Sequence, residues 1–328
     1  MSLRIVPAIL TVAVSMALGL PPVGAQQTQK PQPPQSLRLY VLDCGIITPP
    51  NVDNYGFKPN EVADTRMVTP CFLIVHPRGS LMWDTGEIPD SAFKDGVSPQ
   101  KLNNYSVNRP LLPQLSAIGY TPANITYLAL SHYHGDHVAN ARLFAGTTWI
   151  VQKGDRDLIL APRPANPPAT GRVPDTQYFE GLANSKTILL NGEDHDVFGD
   201  GTVVIKYTPG HTPGTLSYVF PVKDRSRTVM VAYSGGTLTG AFGTDAARWD
   251  EYIASQRKIA KVAADAGASV ILSNHSEYDG AYTKARLIAA PRQPGEDHPF
   301  VVGTDSVQRY FTVMAECATA SKLRGGAQ

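Results

Sequence analysis

Three histidines and an aspartate lie within six residues of one another in segment 131–137, Ser-His-Tyr-His-Gly-Asp-His. Imidazole nitrogens and carboxylate oxygens are ligands that Zn²⁺ takes in proteins, and catalytic zinc sites keep one position open for water. If the segment leaves the end of a strand, His132 and His134 can converge on one point, while Asp136 and His137 turn towards a second point nearby. The spacing therefore predicts two adjacent metal sites.

Each of these sites needs at least one further ligand from elsewhere in the chain. His211 stands in a Thr-Pro-Gly-His-Thr-Pro-Gly turn at 208–214, where the glycines let the backbone bend closely, and His275 follows a predicted strand at 269–273. We expect these two histidines to complete the sites. The other three histidines lack such a context, and we expect packing or surface roles for His76, His195 and His298.

Segment 132–137 matches His-x-His-x-Asp-His, and over nearly all of its length after the first residues the chain resembles the metallo-β-lactamase superfamily. The resemblance implies an α/β fold, a single-domain αββα sandwich with two Zn²⁺ per chain at one edge between the sheets. It implies these ligand sets: His132, His134 and His211 for the first zinc, and Asp136, His137 and His275 for the second. It also implies that Asp84, in a strand ending Asp-Thr-Gly, orients the metal-bearing loops without binding metal.

The two halves of the chain resemble different branches of that superfamily. Segments 39–45, 70–86 and 119–120 are similar to acyl-homoserine lactonases, whereas the second half resembles the third metallo-β-lactamase subclass. Lactonases carry an aspartate that bridges the metals, but this chain has Tyr-Ser-Gly-Gly-Thr at 233–237, without a carboxylate. The third subclass also lacks the bridge.

These observations predict a dinuclear zinc hydrolase that uses a metal-bound hydroxide to open a cyclic amide or ester, in the manner of a β-lactamase. Asp136 would bind metal and accept a hydrogen bond from the hydroxide, and Tyr133, Ser234 and Thr237 are candidate substrate contacts. The first alternative is a lactonase or esterase of the acyl-homoserine lactonase type. The second is a non-hydrolytic redox di-iron protein on the same fold, although that branch has glutamate where this chain has His134.

The composition agrees with a packed enzyme acting on a small molecule. The chain has 328 residues, 42% hydrophobic, with 29 Lys and Arg against 28 Asp and Glu, for a net charge of +1. That balance gives no reason to expect nucleic acid as a partner, and nothing in the sequence defines an oligomeric state. Three cysteines are too few for a disulfide scaffold; Cys44 and Cys71 are a possible pair that their spacing does not establish.

The N-terminus is predicted to be a secretory signal peptide. Arg4 precedes an apolar run at 5–20, and Val-Gly-Ala at 23–25 fits a cleavage site. The run is shorter than the ~20 residues that span a bilayer, so we expect a periplasmic or secreted protein with no membrane span after cleavage. The predicted organisation is a signal peptide at 1–25, a Gln/Pro-rich linker at 26–36, a hydrolase domain at 37–323 and a flexible tail at 324–328.

Short apolar runs bounded by Gly, Pro, Asn or Asp predict strands that alternate with helices over the whole domain. A stripe at 3.6-residue spacing predicts a helix at 245–266, and a last helix is expected at 306–323. The Pro-rich stretch 162–174 is predicted to be a surface loop near the site. The predicted strands are 37–42, 71–76, 81–84, 125–131, 147–152, 202–208, 215–220, 228–233 and 269–273.

Overall fold

A computed structural model of the chain describes residues 32–49, 58, 61, 65–96, 99–162, 173–237, 242–275, 279–288 and 290–325. The predicted signal peptide, most of the predicted linker and nearly all of the predicted loop 162–174 lie outside these ranges. Within the described part of the chain, no helix is long and apolar enough to cross a membrane.

In the described ranges the strands form two sheets, and the first has eight strands. They are β1 (Arg38–Ile47), β2 (Met67–His76), β3 (Gly79–Trp83), β4 (Gln100–Leu102), β5 (Tyr105–Val107), β6 (Tyr127–Ala129), β7 (Thr148–Gln152) and β8 (Thr187–Leu190). Their order across the sheet is β4-β5-β1-β2-β3-β6-β7-β8. Because β3, β6, β7 and β8 pair in parallel, the loops that follow them leave from one edge of the sheet.

The second sheet has five described strands, which are β9 (His195–Asp196), β10 (Val204–Tyr207), β11 (Leu216–Asp224), β12 (Arg227–Ser234) and β13 (Val270–Ser273). Their order is β13-β12-β11-β10-β9. Only the β12–β13 pair among them is parallel, so these two strands also end at a common edge.

Apolar side chains alternate between the two faces of each central strand and so define the layers. In β2, Phe72 and Ile74 point into a core shared with Tyr218 and Val231 of the second sheet. Leu73 points to the opposite face and packs in a second cluster with residues of the helices outside the first sheet. The alternation buries both faces of β2, as expected for a central strand.

The described residues form six helices, which are α1 (Leu111–Ala117), α2 (Gly135–Val138), α3 (Lys153–Leu160), α4 (Ala246–Asp265), α5 (Ala281–Ile288) and α6 (Thr304–Gly325). Among them, α1, α3, α4 and α6 cover the outer faces of the αββα sandwich. On the second sheet, Ile259 of α4 and Phe311 of α6 pack against Ala232 and Ile271. Asp245 caps α4 by accepting a hydrogen bond from the Arg248 backbone N–H.

The predicted fold class and the nine predicted strands are found, with shifted ends. The predicted strand at 125–131 is three residues long, 127–129, and the strand at 37–42 extends to 47. Helix α6 continues to Gly325, so the predicted flexible tail does not begin at 324. Cys44 and Cys71, on neighbouring strands with Cα atoms 5.6 Å apart, form a disulfide.

Candidate metal centre

The two sheets end together at the edge that carries the predicted metal ligands. Segment 131–137 follows β6, His211 lies in the turn between β10 and β11, and His275 lies two residues after β13. Asp136 and His137 belong to α2, a single helical turn that begins directly after His134, rather than to a simple loop. The turn places Asp136 and His137 beside His275, in a group separate from His132 and His134.

His132, His134 and His211 form the first cluster. One ligand atom from each lies within 4.8 Å of the others, and all three side chains are buried. The Nε2 atoms of His132 and His211 are 3.2 Å apart. His132 Nδ1 lies 3.1 Å from the Gly235 carbonyl oxygen, which can only accept, so Nδ1 carries the proton and Nε2 presents its lone pair to the cluster.

Burial and the neighbouring imidazoles hold the pKa of His132 well below its usual value. The side chain is therefore neutral, which is the form that binds a metal ion.

Asp136, His137 and His275 form the second cluster. Their ligand atoms also lie within 4.8 Å of one another. The Asp136 Oδ2 atom is 3.3 Å from His137 Nε2 and 3.5 Å from His275 Nε2. The rings of His132 and His137 have centroids 4.4 Å apart, so the two clusters are adjacent.

Asp84 connects the strand end of β3 to both parts of the ligand segment. Its side chain is fully buried; Oδ1 accepts a 2.6 Å hydrogen bond from the Ser131 N–H, and Oδ2 lies 3.1 Å from His137 Nδ1. The Tyr233 hydroxyl also donates to Oδ2 at 3.3 Å. Asp84 thereby fixes the start of the segment and the tautomer of its last histidine, without belonging to either cluster.

The pKa of His137 depends on two carboxylates. Burial opposes its protonation, but Asp136 and Asp84 outweigh that effect and raise the pKa to about 10. The concentration of negative charge around this imidazole is the electrostatic environment that a divalent cation requires.

The turn that carries His211 is held by close backbone packing and by a cation. Gly210 has φ of +116°, and a Cβ at this position would lie 2.6 Å from the Tyr252 Cα, so a glycine is required. Arg248 of α4 donates from Nε to the Gly210 carbonyl at 2.8 Å and from Nη2 to the His211 carbonyl. Sequence reasoning missed Arg248, since an arginine on a helix surface carries no signal for this contact.

The three candidate substrate contacts are all buried. Tyr133 packs in the outer core of the first sheet, with its ring centroid 5.2 Å from that of His134. Ser234 directly precedes Gly235, whose carbonyl contacts His132, and Thr237 lies two residues further on. Among the described residues neither hydroxyl oxygen has a hydrogen-bond partner. No carboxylate stands at Ser234, where β12 ends.

Three further buried carboxylates surround the centre, and sequence reasoning assigned none of them. Asp279 accepts 2.7 Å hydrogen bonds from the N–H groups of Ser273 and Ala281, beside His275. Glu87 accepts a 2.7 Å bond from the Thr69 hydroxyl, and burial raises its pKa to about 9. Asp155 of α3 contacts the His211 turn. Glu87 could have been noticed, because it directly follows the Asp-Thr-Gly motif.

The other three histidines lie outside both clusters. His76 stacks on Phe198 with ring centroids 4.3 Å apart, and its Nε2 is 3.0 Å from Asp200. His195 and His298 are half-buried.

Together the two clusters bring five imidazoles and one carboxylate to this edge, a nitrogen and oxygen donor set that suits Zn²⁺.

An αββα sandwich with two adjacent histidine-rich clusters at the edge between its sheets defines a metal-dependent hydrolase. The family model of the metallo-beta-lactamase superfamily matches residues 64–225. Over this stretch, just under half of its length, the chain is similar to members of this superfamily.

Curated relatives found by sequence include N-acyl homoserine lactonases. The N-acyl homoserine lactonase AttM of Agrobacterium fabrum is 28% identical over 223 residues, 66% of this chain and 80% of the relative. AttM of Rhizobium johnstonii is 25% identical over 269 residues, 76% of this chain and 97% of the relative.

Solved structures with the same fold include lactonases and β-lactamases. An N-acyl homoserine lactone hydrolase with N-hexanoyl-L-homoserine at its catalytic metal centre superposes with a TM-score of 0.53 at 20% identity, over 72% of this chain and 92% of that protein. The FEZ-1 metallo-beta-lactamase of Legionella gormanii gives 0.54 at 17% identity, over 80% and 94%. The sequence relatives favour the lactonase alternative over the predicted β-lactamase-like activity.

Proposed function

We propose that this protein is a dinuclear metal-dependent lactonase that opens the ester ring of N-acyl homoserine lactones. The observation that carries the proposal is the convergence of two three-residue ligand sets, each within 4.8 Å, at one sheet edge. The lactonase relatives, which this chain matches over 80% and 97% of their lengths, support the substrate class.

The residues of both clusters would hold the metal ions, and the nitrogen-rich donor sets fit zinc. His132, His134 and His211 would bind one ion, and Asp136, His137 and His275 the other. When bound, such ions acidify a water molecule and polarise a carbonyl oxygen.

Asp136 has a second role in this proposal. Its Oδ2 atom lies between the imidazoles of His137 and His275, at 3.3 and 3.5 Å, on the side of the second cluster. This carboxylate is an acceptor that can orient the attacking water, take its proton and return it to the ring oxygen when the acyl C–O bond breaks. Asp84 fixes the tautomer of His137, and the Gly235 carbonyl fixes that of His132.

The test is hydrolysis of N-hexanoyl- and N-decanoyl-homoserine lactone by purified protein. Hydrolysis is monitored through the acid that ring opening releases, and the metal content of the same sample is measured. We expect metal-dependent turnover that a chelator abolishes and zinc restores. His132→Ala should be inactive, and His195→Ala, outside both clusters, should be active. Metal-loaded protein that leaves both lactones intact would refute the proposal.

β-Lactam hydrolysis is the second candidate activity. The observation that favours it is the absence of a carboxylate at Ser234, at the end of β12, a feature expected of the third β-lactamase subclass. A β-lactam in the same assay separates the two activities: turnover of the β-lactam but of neither lactone would favour this candidate.

We also propose export from the cytoplasm, on the basis of the signal-like segment 1–25. The Cys44–Cys71 disulfide supports this, since such bonds persist mainly in oxidising compartments. Expression of the full chain, fractionation and N-terminal sequencing should give a periplasmic or secreted product that begins at residue 26. A full-length cytoplasmic product would refute the proposal.

A further inference from the structure

Asp155 lies in the first turn of α3 and belongs to neither cluster, yet its carboxylate is buried with 3% of its surface exposed. We propose that Asp155 is a positioning residue that holds the first ligand set, His132, His134 and His211, in place through the backbones of two loops. The inference rests on the metal sites of the proposed function.

The hydrogen bonds of Asp155 reach both loops. Oδ1 accepts a 2.6 Å bond from the Gly214 N–H, and Oδ2 accepts a 2.9 Å bond from the Thr212 hydroxyl. The backbone N–H of Tyr133 also donates to this carboxylate. Because Tyr133 stands between His132 and His134, and Thr212 follows His211, one carboxylate joins the segments that carry all three ligands.

The contact between α3 and the His211 turn leaves no space for adjustment. A Cβ on Gly214 would lie 2.5 Å from the Asp155 Cγ, and a Cβ on Gly154 would lie 2.9 Å from the Pro213 Cβ. Glycine is therefore required on both sides of the contact, and the position of the turn depends on the position of the carboxylate.

The second ligand set is held by other carboxylates. Asp84 lies 3.1 Å from His137 Nδ1, and Asp279 accepts from the Ser273 N–H, two residues before His275. Replacing the Asp155 carboxylate by an amide should therefore loosen the first metal site and leave the second intact. An amide at this position has one acceptor oxygen instead of two and cannot serve the three donors equally.

The test compares Asp155→Asn with Asp157→Asn. Asp157 is on the same helix, is exposed, and pairs with Lys153, so it controls for loss of one charge from α3. Cobalt(II) affinities are measured by absorption spectroscopy with a competing chelator. We expect Asp155→Asn to weaken one of two sites by about 10–100-fold and Asp157→Asn to match the wild type.

The same substitution in a His211→Ala background shows which site is affected. Because the first site is already lost there, Asp155→Asn should not change the remaining cobalt affinity. Equal affinities of wild type and Asp155→Asn, or a further loss in the His211→Ala background, would overturn the inference. If Asp155→Asn does not fold, Thr212→Val, which removes one of the three donors, replaces it with the same expected direction.

Metal binding and catalysis are measured separately. A wild-type protein that binds two cobalt ions but hydrolyses no lactone contradicts only the proposed substrate, and the comparison of Asp155 variants still decides the positioning role.

Discussion

The Nε2 atoms of His132 and His211 face each other at 3.2 Å, although the two residues are 79 positions apart in the chain. With its Nδ1 proton directed to the Gly235 carbonyl at 3.1 Å, His132 offers a lone pair to this gap. Two buried imidazoles held in this way are stabilised when a shared cation binds between them and their neighbour His134.

His211→Ala should therefore lose one of two metal equivalents. Hydrolytic activity should fall by at least about 100-fold, because even groups behind the ligands contribute about 10–100-fold. Metal content after dialysis and lactone turnover measure the two effects. His195→Ala, which removes an imidazole from β9 outside both clusters, is the matched control. Unchanged metal content in His211→Ala would contradict the assignment of the first ligand set.

Asp84→Asn tests the link between β3 and the second ligand set. Asp84 has φ of +56°, a left-handed conformation that asparagine tolerates, so this substitution removes charge without adding backbone strain. We expect about 10–100-fold weaker metal binding, because His137 Nδ1 loses its carboxylate partner.

Asp84→Ala removes the same partner and adds strain, since alanine disfavours the left-handed conformation by about 1 kcal/mol. In urea unfolding of the metal-free proteins, the free energy of unfolding should be highest for the wild type, lower for Asp84→Asn and lowest for Asp84→Ala. Equal metal affinities of the wild type and both variants would exclude the proposed positioning role of Asp84.

Local sequence patterns predicted the central strands of both sheets and the six candidate metal ligands, for identifiable reasons. Apolar runs such as 71–76 are buried on both faces, so their strand signal is strong. The spacing of residues 132–137 brings four donor groups within one short segment, and the Thr-Pro-Gly-His turn marks His211. Short edge strands such as β4 and β9 escaped prediction because two or three residues carry too little periodicity.

The residues that hold the ligands in place could not be predicted from the sequence. Asp155, Asp279 and Arg248 act on the backbones of distant loops, and such contacts depend on how helices dock, which no local pattern encodes. Ser234 is a different case: the sequence itself shows that no carboxylate stands there, but not that the serine hydroxyl would be buried without a partner in the described residues.

Ser234→Asp would place a carboxylate at the end of β12, where lactonases carry the bridging aspartate. In metal-loaded protein we expect slower metal loss to a chelator, with affinity increased on the order of 10-fold, because the added charge lies against two cations. In metal-free protein the same charge is buried and unpaired, so unfolding free energy should fall by several kcal/mol.

Ser234→Asn, of the same size without the charge, is the control and should show neither effect of the charge. If Ser234→Asp left metal retention unchanged, the end of β12 would not face the metal centre.

Glu87→Gln should change how stability depends on pH. The side chain is 1% exposed, and burial raises its pKa from 4.5 to about 9, so between these values the folded state holds a proton that the unfolded state releases. The contribution of Glu87 to the free energy of unfolding should then fall as pH rises, with a limiting slope of about 1.4 kcal/mol per pH unit. Glutamine has nearly the same size and shape as the protonated glutamate, but it does not ionise.

In urea unfolding of metal-free protein, the free energy of unfolding of Glu87→Gln should therefore increase relative to that of the wild type between about pH 5 and pH 8. Exposed Glu316 on α6 provides the control, and Glu316→Gln should follow the wild-type curve. A difference between Glu87→Gln and wild type that stays constant over this range would mean that Glu87 is ionised in the folded protein. Its charge would then have to be balanced beside Asp136, which carries the same sign.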